Sequence, residues 1–383
     1  NLRTHQTVSF GSGNLCMNET LKKTFEVRID RQVSQVRWSP AEPLMAASGL
    51  DGTVRWWLGA DSEWMEQPAL TCHHGWVSAL ALTSDGQRML TADSWGALQC
   101  HQRTTSGWEP VWRVEQAHDG WIRGAVLSPQ ESILVTIGRD GTVRCWDVGT
   151  GMTLRHWSVP GVDLLALAVA DDGTIVTGDH HGVVHCFSAE GIPLERPFDT
   201  AELFLEHRLQ DVGGVRGIRF SPDGATLAIW GTRPKNGGNV QGVPLVMLFD
   251  WPTGNRRQLL EAGAVSDVYV TDVHFHPRGH LIITTSGNPG TGKLLCVRSG
   301  ETEPFATEKG LANCHAVAVA ADTGDLVVVS TNRNSNGNGR RLNDDGTYPG
   351  NYSLLTGFAF ADVESQRNRC RSRCGVTGGL LSD

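Results

Sequence analysis

Apolar and polar residues alternate in short runs along most of the chain, as in Val215 to Phe220, Val268 to Phe275 and Leu281 to Thr285. A period of two over five to eight residues predicts half-buried β-strands. Seven tight-turn signals punctuate these runs: Ser39-Pro40, Asp85-Gly86, Ser128-Pro129, Asp172-Gly173, Pro222-Asp223-Gly224, Pro277-Arg278-Gly279 and Thr323-Gly324. Each has one alternating run before it and another after it, which predicts a hairpin. Their spacing, roughly 43 to 54 residues, is close to the ~40–50 expected of a propeller blade, so the pattern predicts seven repeated β units.

The third unit is the most regular. His118-Asp119-Gly120-Trp121 leads into a strand, Ser128-Pro129 turns it, a second strand ends at Thr136, Gly138-Arg139-Asp140-Gly141 turns again, and a third closes on Cys145-Trp146-Asp147. The first unit repeats this ending as Leu50-Asp51-Gly52-Thr53-Val54-Arg55-Trp56-Trp57. The second and fourth place Trp95 with His101, and His181 with Phe187, at the corresponding turn and third-strand positions. The chain thus resembles the WD40-repeat β-propeller family, by motif in its first half and by periodicity over nearly all its length.

That resemblance implies an all-β fold: a single seven-bladed β-propeller of four-stranded antiparallel blades, closed by an N-terminal strand completing the last blade. Thr24 to Ile29 is placed to be that strand, beside Ala316 to Val319, Leu326 to Ser330 and Ser353 to Phe360. The expected organisation is an N-terminal arm over 1–23, the propeller over 24–363 and a basic C-terminal tail over 364–383. The resemblance further implies a structural tetrad of His118, Thr136, Asp140 and Trp146, hydrogen-bonded within blade three. Blade one has only Asp30 where the His belongs, and blades two and four are expected to lack the Asp, so apolar packing should hold most blades together. Thr232 to Pro244 and Asn332 to Tyr352 are expected to be long loops on the face with the channel entrance.

Composition agrees with a turn-dense β chain: 45 glycines and 13 tryptophans in 383 residues, 39% hydrophobic and 19% charged. The net charge of −8 argues against a nucleic-acid surface built on bulk positive charge. No stretch of 18 or more apolar residues occurs, so no membrane span is expected and the chain reads as soluble. Nine cysteines are an odd number. Cys100, Cys145, Cys186 and Cys296 recur one residue before the Trp-equivalent position, which reads as a repeated packing slot and slightly favours a reducing, cytoplasmic compartment. Because the chain starts at Asn1, a processed exported product stays open.

Three segments tempt a chemical reading. Gly287-Asn288-Pro289-Gly290-Thr291-Gly292-Lys293 resembles a phosphate loop, but Leu294 stands where Ser or Thr should bind Mg²⁺ and a strand follows where a helix is needed. Asp179-His180-His181 with His185-Cys186, and His73-His74, offer metal-ligand atoms, but His185 and Cys186 point to opposite faces of a strand. His181, at the turn-Asp position, reads as a structural substitute for that Asp. Cys370 and Cys374 in the tail are too isolated for a four-ligand site, and Arg367, Arg369, Arg371 and Arg373 form a small basic cluster there. No catalytic, cofactor or metal residues are therefore nominated, and no cofactor is expected.

Binding signals are stronger. By the family's geometry Trp76 and Trp121 sit at the channel entrance, beside the residues that precede the turn Asp, among them Ser94, Arg139 and His180. Trp and Arg dominate interface hot spots. The expected function is a non-catalytic scaffold presenting Trp76, Ser94, Trp121, Arg139 and His180 to a protein or peptide; the alternative is an enzyme or small-molecule binder using the central channel.

Overall fold

In the computed structural model the described residues are 19–60, 63–206, 212–235, 240–288, 290–333 and 350–362. They form seven antiparallel sheets arranged as a seven-bladed β-propeller, with two three-residue 3-10 turns, Ala201–Leu203 and Val265–Asp267, and no α-helix among them. The innermost strands of blades one to seven are Val33–Trp38, Val77–Leu82, Ile122–Leu127, Leu164–Val169, Val215–Phe220, Tyr269–Phe275 and Ala316–Val319. All seven turn signals fall between the first and second strands of a blade. Blade one departs slightly from four strands: its outer edge is split, with Glu63–Glu66 and Leu70–Thr71 both pairing Thr53–Ala60.

Closure follows the expected route. Glu19–Ile29 pairs antiparallel with Ser353–Asp362, so the N-terminal strand is the outer strand of blade seven. It reaches at least five residues before the expected Thr24, as far as Glu19, the first described residue, whose carboxylate lies 2.6 Å from Arg278 Nη1 and 2.6 Å from His280 Nε2 of blade six.

The core is a ring of inter-blade layers. Each neighbouring pair of blades shares an apolar cluster, for example Met45, Ala47, Trp57, Val327 and Leu355 between blades one and seven, and Leu90, Leu98, Ile122, Leu134 and Trp146 between blades two and three. On the third strand of a blade the Trp-equivalent side chain faces the preceding blade and the cysteine beside it faces the following one. Cys100, Cys145, Cys186 and Cys296 accordingly occupy four different inter-blade clusters. Burial pushes the thiols of Cys100 and Cys186 up to about 11 and that of Cys296 up to about 12, so they are neutral, packed groups.

The fifth-blade insertion differs from its expectation as a loop. Strands Thr226–Pro234 and Gly242–Asp250 stay paired out to Pro234 and Gly242, so much of 232–244 is a prolonged hairpin. Arg233 anchors it through Glu202 and Glu261, and backbone pairing between the two strands outweighs the segment's polar composition. In the seventh-blade insertion the backbone N–H of Asn332 donates to Tyr352 O at 3.1 Å; residues 334–349 and the arginine- and cysteine-bearing tail lie outside the described residues.

Candidate functional site

The residues predicted for the tetrad meet in blade three. Trp146 Nε1–H donates to Thr136 Oγ1 at 2.8 Å, Thr136 Oγ1 lies 2.8 Å from His118 Nε2, and His118 Nδ1 lies 3.1 Å from Asp140 Oδ1. The ionised Asp140 can only accept, so the His proton sits on Nδ1, and Nε2 of the neutral ring accepts from the Thr136 hydroxyl, which in turn accepts from the indole. Burial keeps His118 neutral by lowering its pKa against the opposing pull of Asp140.

Blades two and four do retain a buried Asp, contrary to expectation, but two residues earlier than the turn. In blade two, Asp93 Oδ2 lies 3.0 Å from His73 Nδ1, and His73 Nε2 lies 2.8 Å from Thr91 Oγ1. In blade four, Asp179 Oδ2 meets His185 Nε2 at 2.9 Å. The two arrangements exclude each other sterically. A Cβ on Gly138 would lie 2.5 Å from His118 Nδ1 and 2.7 Å from Asp140 Oδ1, and one on Gly49 2.4 Å from Asp51 Oδ1. A blade therefore carries Gly at the strand end with Asp in the turn, or Asp at the strand end with the turn position released. His181 is consequently no structural substitute for the Asp: it is exposed and packs on His180 and Phe204. Trp95, released in the same way, is 68% exposed.

This release shapes the entrance face. Trp76 is 49% exposed and meets Trp121 edge-on at 5.6 Å, while Trp95 stacks on His74 at 6.3 Å. Ser94 Oγ accepts from Trp76 N at 3.0 Å and fixes the loop that carries the indole. Arg123 lies 4.3 Å from the Trp121 ring and forms a two-point ion pair with Asp163, 2.6 Å at its closer approach. Arg139 is exposed, and its backbone N–H donates to Trp121 O. His180 Nδ1 accepts from Asp163 N at 3.0 Å, so its ring is part of the wall rather than a free contact. Four of the five predicted positions, Trp76, Ser94, Trp121 and Arg139, thus form one contiguous patch on blades two and three, with His180 at its blade-four edge.

Below Trp76 and Trp121 the channel widens into a cavity of about 550 Å³. Its lining includes Arg37, Arg123, Arg216, Arg219, Asp272 and His315, which were not singled out from the sequence. The reason is a β-bulge in the inner strands: pairing shifts register between Val33 and Gln35, Ile122 and Gly124, Val215 and Gly217, and Val270 and Asp272. An extra residue re-aims the side chains that follow, so strict alternation no longer says which residues face inward.

The phosphate-loop-like segment is structurally committed. Lys293 Nζ pairs with buried Asp267 at 2.5 Å, and Gly292–Val297 is a strand. Pro289 lies outside the described residues.

Seven radially arranged sheets with His–Thr–Trp–Asp bonding inside a blade define a WD40-type β-propeller. The family model described as "WD domain, G-beta repeat" matches residues 20–57 and 108–147, each match running from the outer strand of one blade through the third strand of the next. Among relatives, rat "Telomerase protein component 1" is 27% identical over 81% of this chain and 11% of its own length. Human "WD repeat-containing protein 90" is 28% identical over 54% of this chain and 11% of its own. Rice "Guanine nucleotide-binding protein subunit beta" is 23% identical over 60% of this chain and 58% of its own. The chain spans about a tenth of the length of the first two. It belongs to the WD40-repeat family, whose propellers are in general protein-binding scaffolds rather than enzymes. Among the described residues no helix is long and apolar enough to cross a membrane.

Proposed function

We propose that this propeller is a non-catalytic interaction scaffold that engages a protein or peptide partner through the entrance-face patch of Trp76, Trp95, Trp121 and Arg139, with Ser94 and His180 shaping its floor and edge. The single observation that carries this reading is the exposure of Trp76 and Trp95 side by side on a rigid rim. Large aromatic rings left in water next to an exposed Arg are costly for a free surface and suited to a hot spot. A ring of locked sheets loses little conformational entropy on association, so a few such contacts suffice for affinity.

The test is capture of partners from native lysate on the wild-type chain and on Trp76→Ala/Trp121→Ala and Trp121→Ala/Arg139→Glu variants, each first checked for an unchanged thermal unfolding midpoint. A partner held by the wild type should bind at least about tenfold more weakly to both variants. Undiminished binding by folded variants overturns the assignment of this face.

A further inference from the structure

We propose that the central channel, whose mouth is shared with Trp76 and Trp121 of the entrance-face patch, is a second binding site, for a small phosphorylated ligand whose phosphoryl group sits between Arg37 of blade one and Arg219 of blade five. Both guanidiniums line the cavity and reach it from different sides of the ring. One carboxylate, Asp272, lies between them. It accepts from Arg219 Nη2 at 3.3 Å and from the backbone N–H groups of Val273 at 2.9 Å and Val317 at 3.2 Å, so much of its accepting capacity is spent on the chain itself. Among the described residues, Arg37 is met at hydrogen-bond distance only by neutral acceptors, Val36 O at 2.9 Å and Gln35 Oε1 at 3.2 Å. Arg219 Nη1 lies 2.9 Å from His274 Nδ1, and its Nε is buried with no hydrogen-bond partner. Arg123, at the mouth, is neutralised by Asp163 and does not take part.

Among the described residues lining the cavity, Arg37 and Arg219 share a single carboxylate, which leaves surplus positive charge between them in a protein whose net charge is −8. A low-dielectric channel focuses that field on its contents. Burial and the neighbouring Arg219 pull Arg37 down to about 10 against the attraction of Asp272, so it stays charged at neutral pH while crowded by its own kind. His274 is held neutral, chiefly by burial and then by Arg219 and Arg37. An anion placed here relieves the repulsion. The geometry selects its shape: donors that converge from blades one and five must be met by oxygens pointing in more than one direction. A tetrahedral phosphoryl group offers that and a planar carboxylate does not. The cavity, about 550 Å³, is within the range of small-molecule sites and far larger than phosphate alone, which leaves room for the esterified part of a metabolite.

The experiment is titration calorimetry of the full chain with inorganic phosphate and with glycerol 3-phosphate, and with chloride at matched ionic strength. The wild type should show saturable heat and a raised unfolding temperature with a phosphoryl probe and not with chloride. Arg37→Gln and Arg219→Gln should each weaken binding at least tenfold, while Lys22→Gln, exposed on the outer strand of blade seven and outside the channel, should leave it unchanged. Tighter binding of the ester identifies a phosphorylated metabolite, and equal binding identifies phosphate itself; both support the site. The thermal comparison of phosphate with chloride needs no variant, so a channel substitution that unfolds the protein does not remove the test. Absence of saturable binding, an equal response to chloride, or unchanged affinity in folded Arg37→Gln and Arg219→Gln variants overturns it.

Discussion

At the scale of single residues, the two ways of placing a buried Asp in a blade make a reciprocal prediction. Gly138→Asp in blade three would bring a second carboxylate into the space already shared by His118 and Asp140, and should destabilise the protein by about 2–3 kcal/mol in chemical denaturation. Adding Asp140→Gly converts blade three to the arrangement of blade two and should recover most of that loss; no recovery would show that the two patterns are not interchangeable. A second prediction concerns His101, which stands where blade three has Trp146 and blade four has Phe187. Burial lowers its pKa to about 4, with His73 adding to the effect. The unfolded chain takes up a proton near pH 6.5, so its share of stability is complete above that value and is lost as pH falls toward 4, by about 2–3 kcal/mol. His101→Phe should flatten the stability profile in that window relative to wild type. The tetrad of blade three was legible because its spacing is undisturbed. The Asp of blades two and four was hidden, since a two-residue shift looks like a loss until Gly138 and Asp93 are seen to compete for one space.

At the scale of elements, strands and hairpins were readable from alternation and turn residues, including the closing strand. What alternation does not encode is where pairing stops. The hairpin of blade five runs on to Pro234 because its backbone groups still have partners, and the closing strand is tied at Glu19 to blade six through a carboxylate gripped by Arg278 and His280. Burial would raise the Glu19 pKa, but Arg278 and His280 outweigh it and hold the group below the ordinary carboxylate range. Its contribution is therefore present above about pH 4.5 and is lost as pH falls through the depressed value. Glu19→Ala should cost about 1–2 kcal/mol and, more tellingly, should speed amide hydrogen exchange in Glu19–Ile29 and Ser353–Asp362 ahead of the other blades. Uniform acceleration across all seven sheets would show that Glu19 supports the ring as a whole.

At the scale of the whole molecule, periodicity was enough to read seven blades, and turn positions were enough to read which residues crowd the entrance. The channel's charge was not readable. Arg216 and Arg219 sit in a run, Val-Arg-Gly-Ile-Arg-Phe, whose plain alternation puts them on opposite faces; both line the channel because the bulge between Val215 and Gly217 intervenes, and seven strands must close before Arg37 comes to face Arg219. The same closure has a mechanical side. Glu19 is paired with Asp362 and Ile29 with Ser353, so the chain enters and leaves the ring at the same end of the same pair of strands. Tension drawn between the two ends would load those backbone bonds one after another from Glu19 and Asp362 inward, like a zip, rather than all at once in shear. Blade seven would open at low force, while the other six sheets, which lie off the line of pull, would stay folded until the seam had parted.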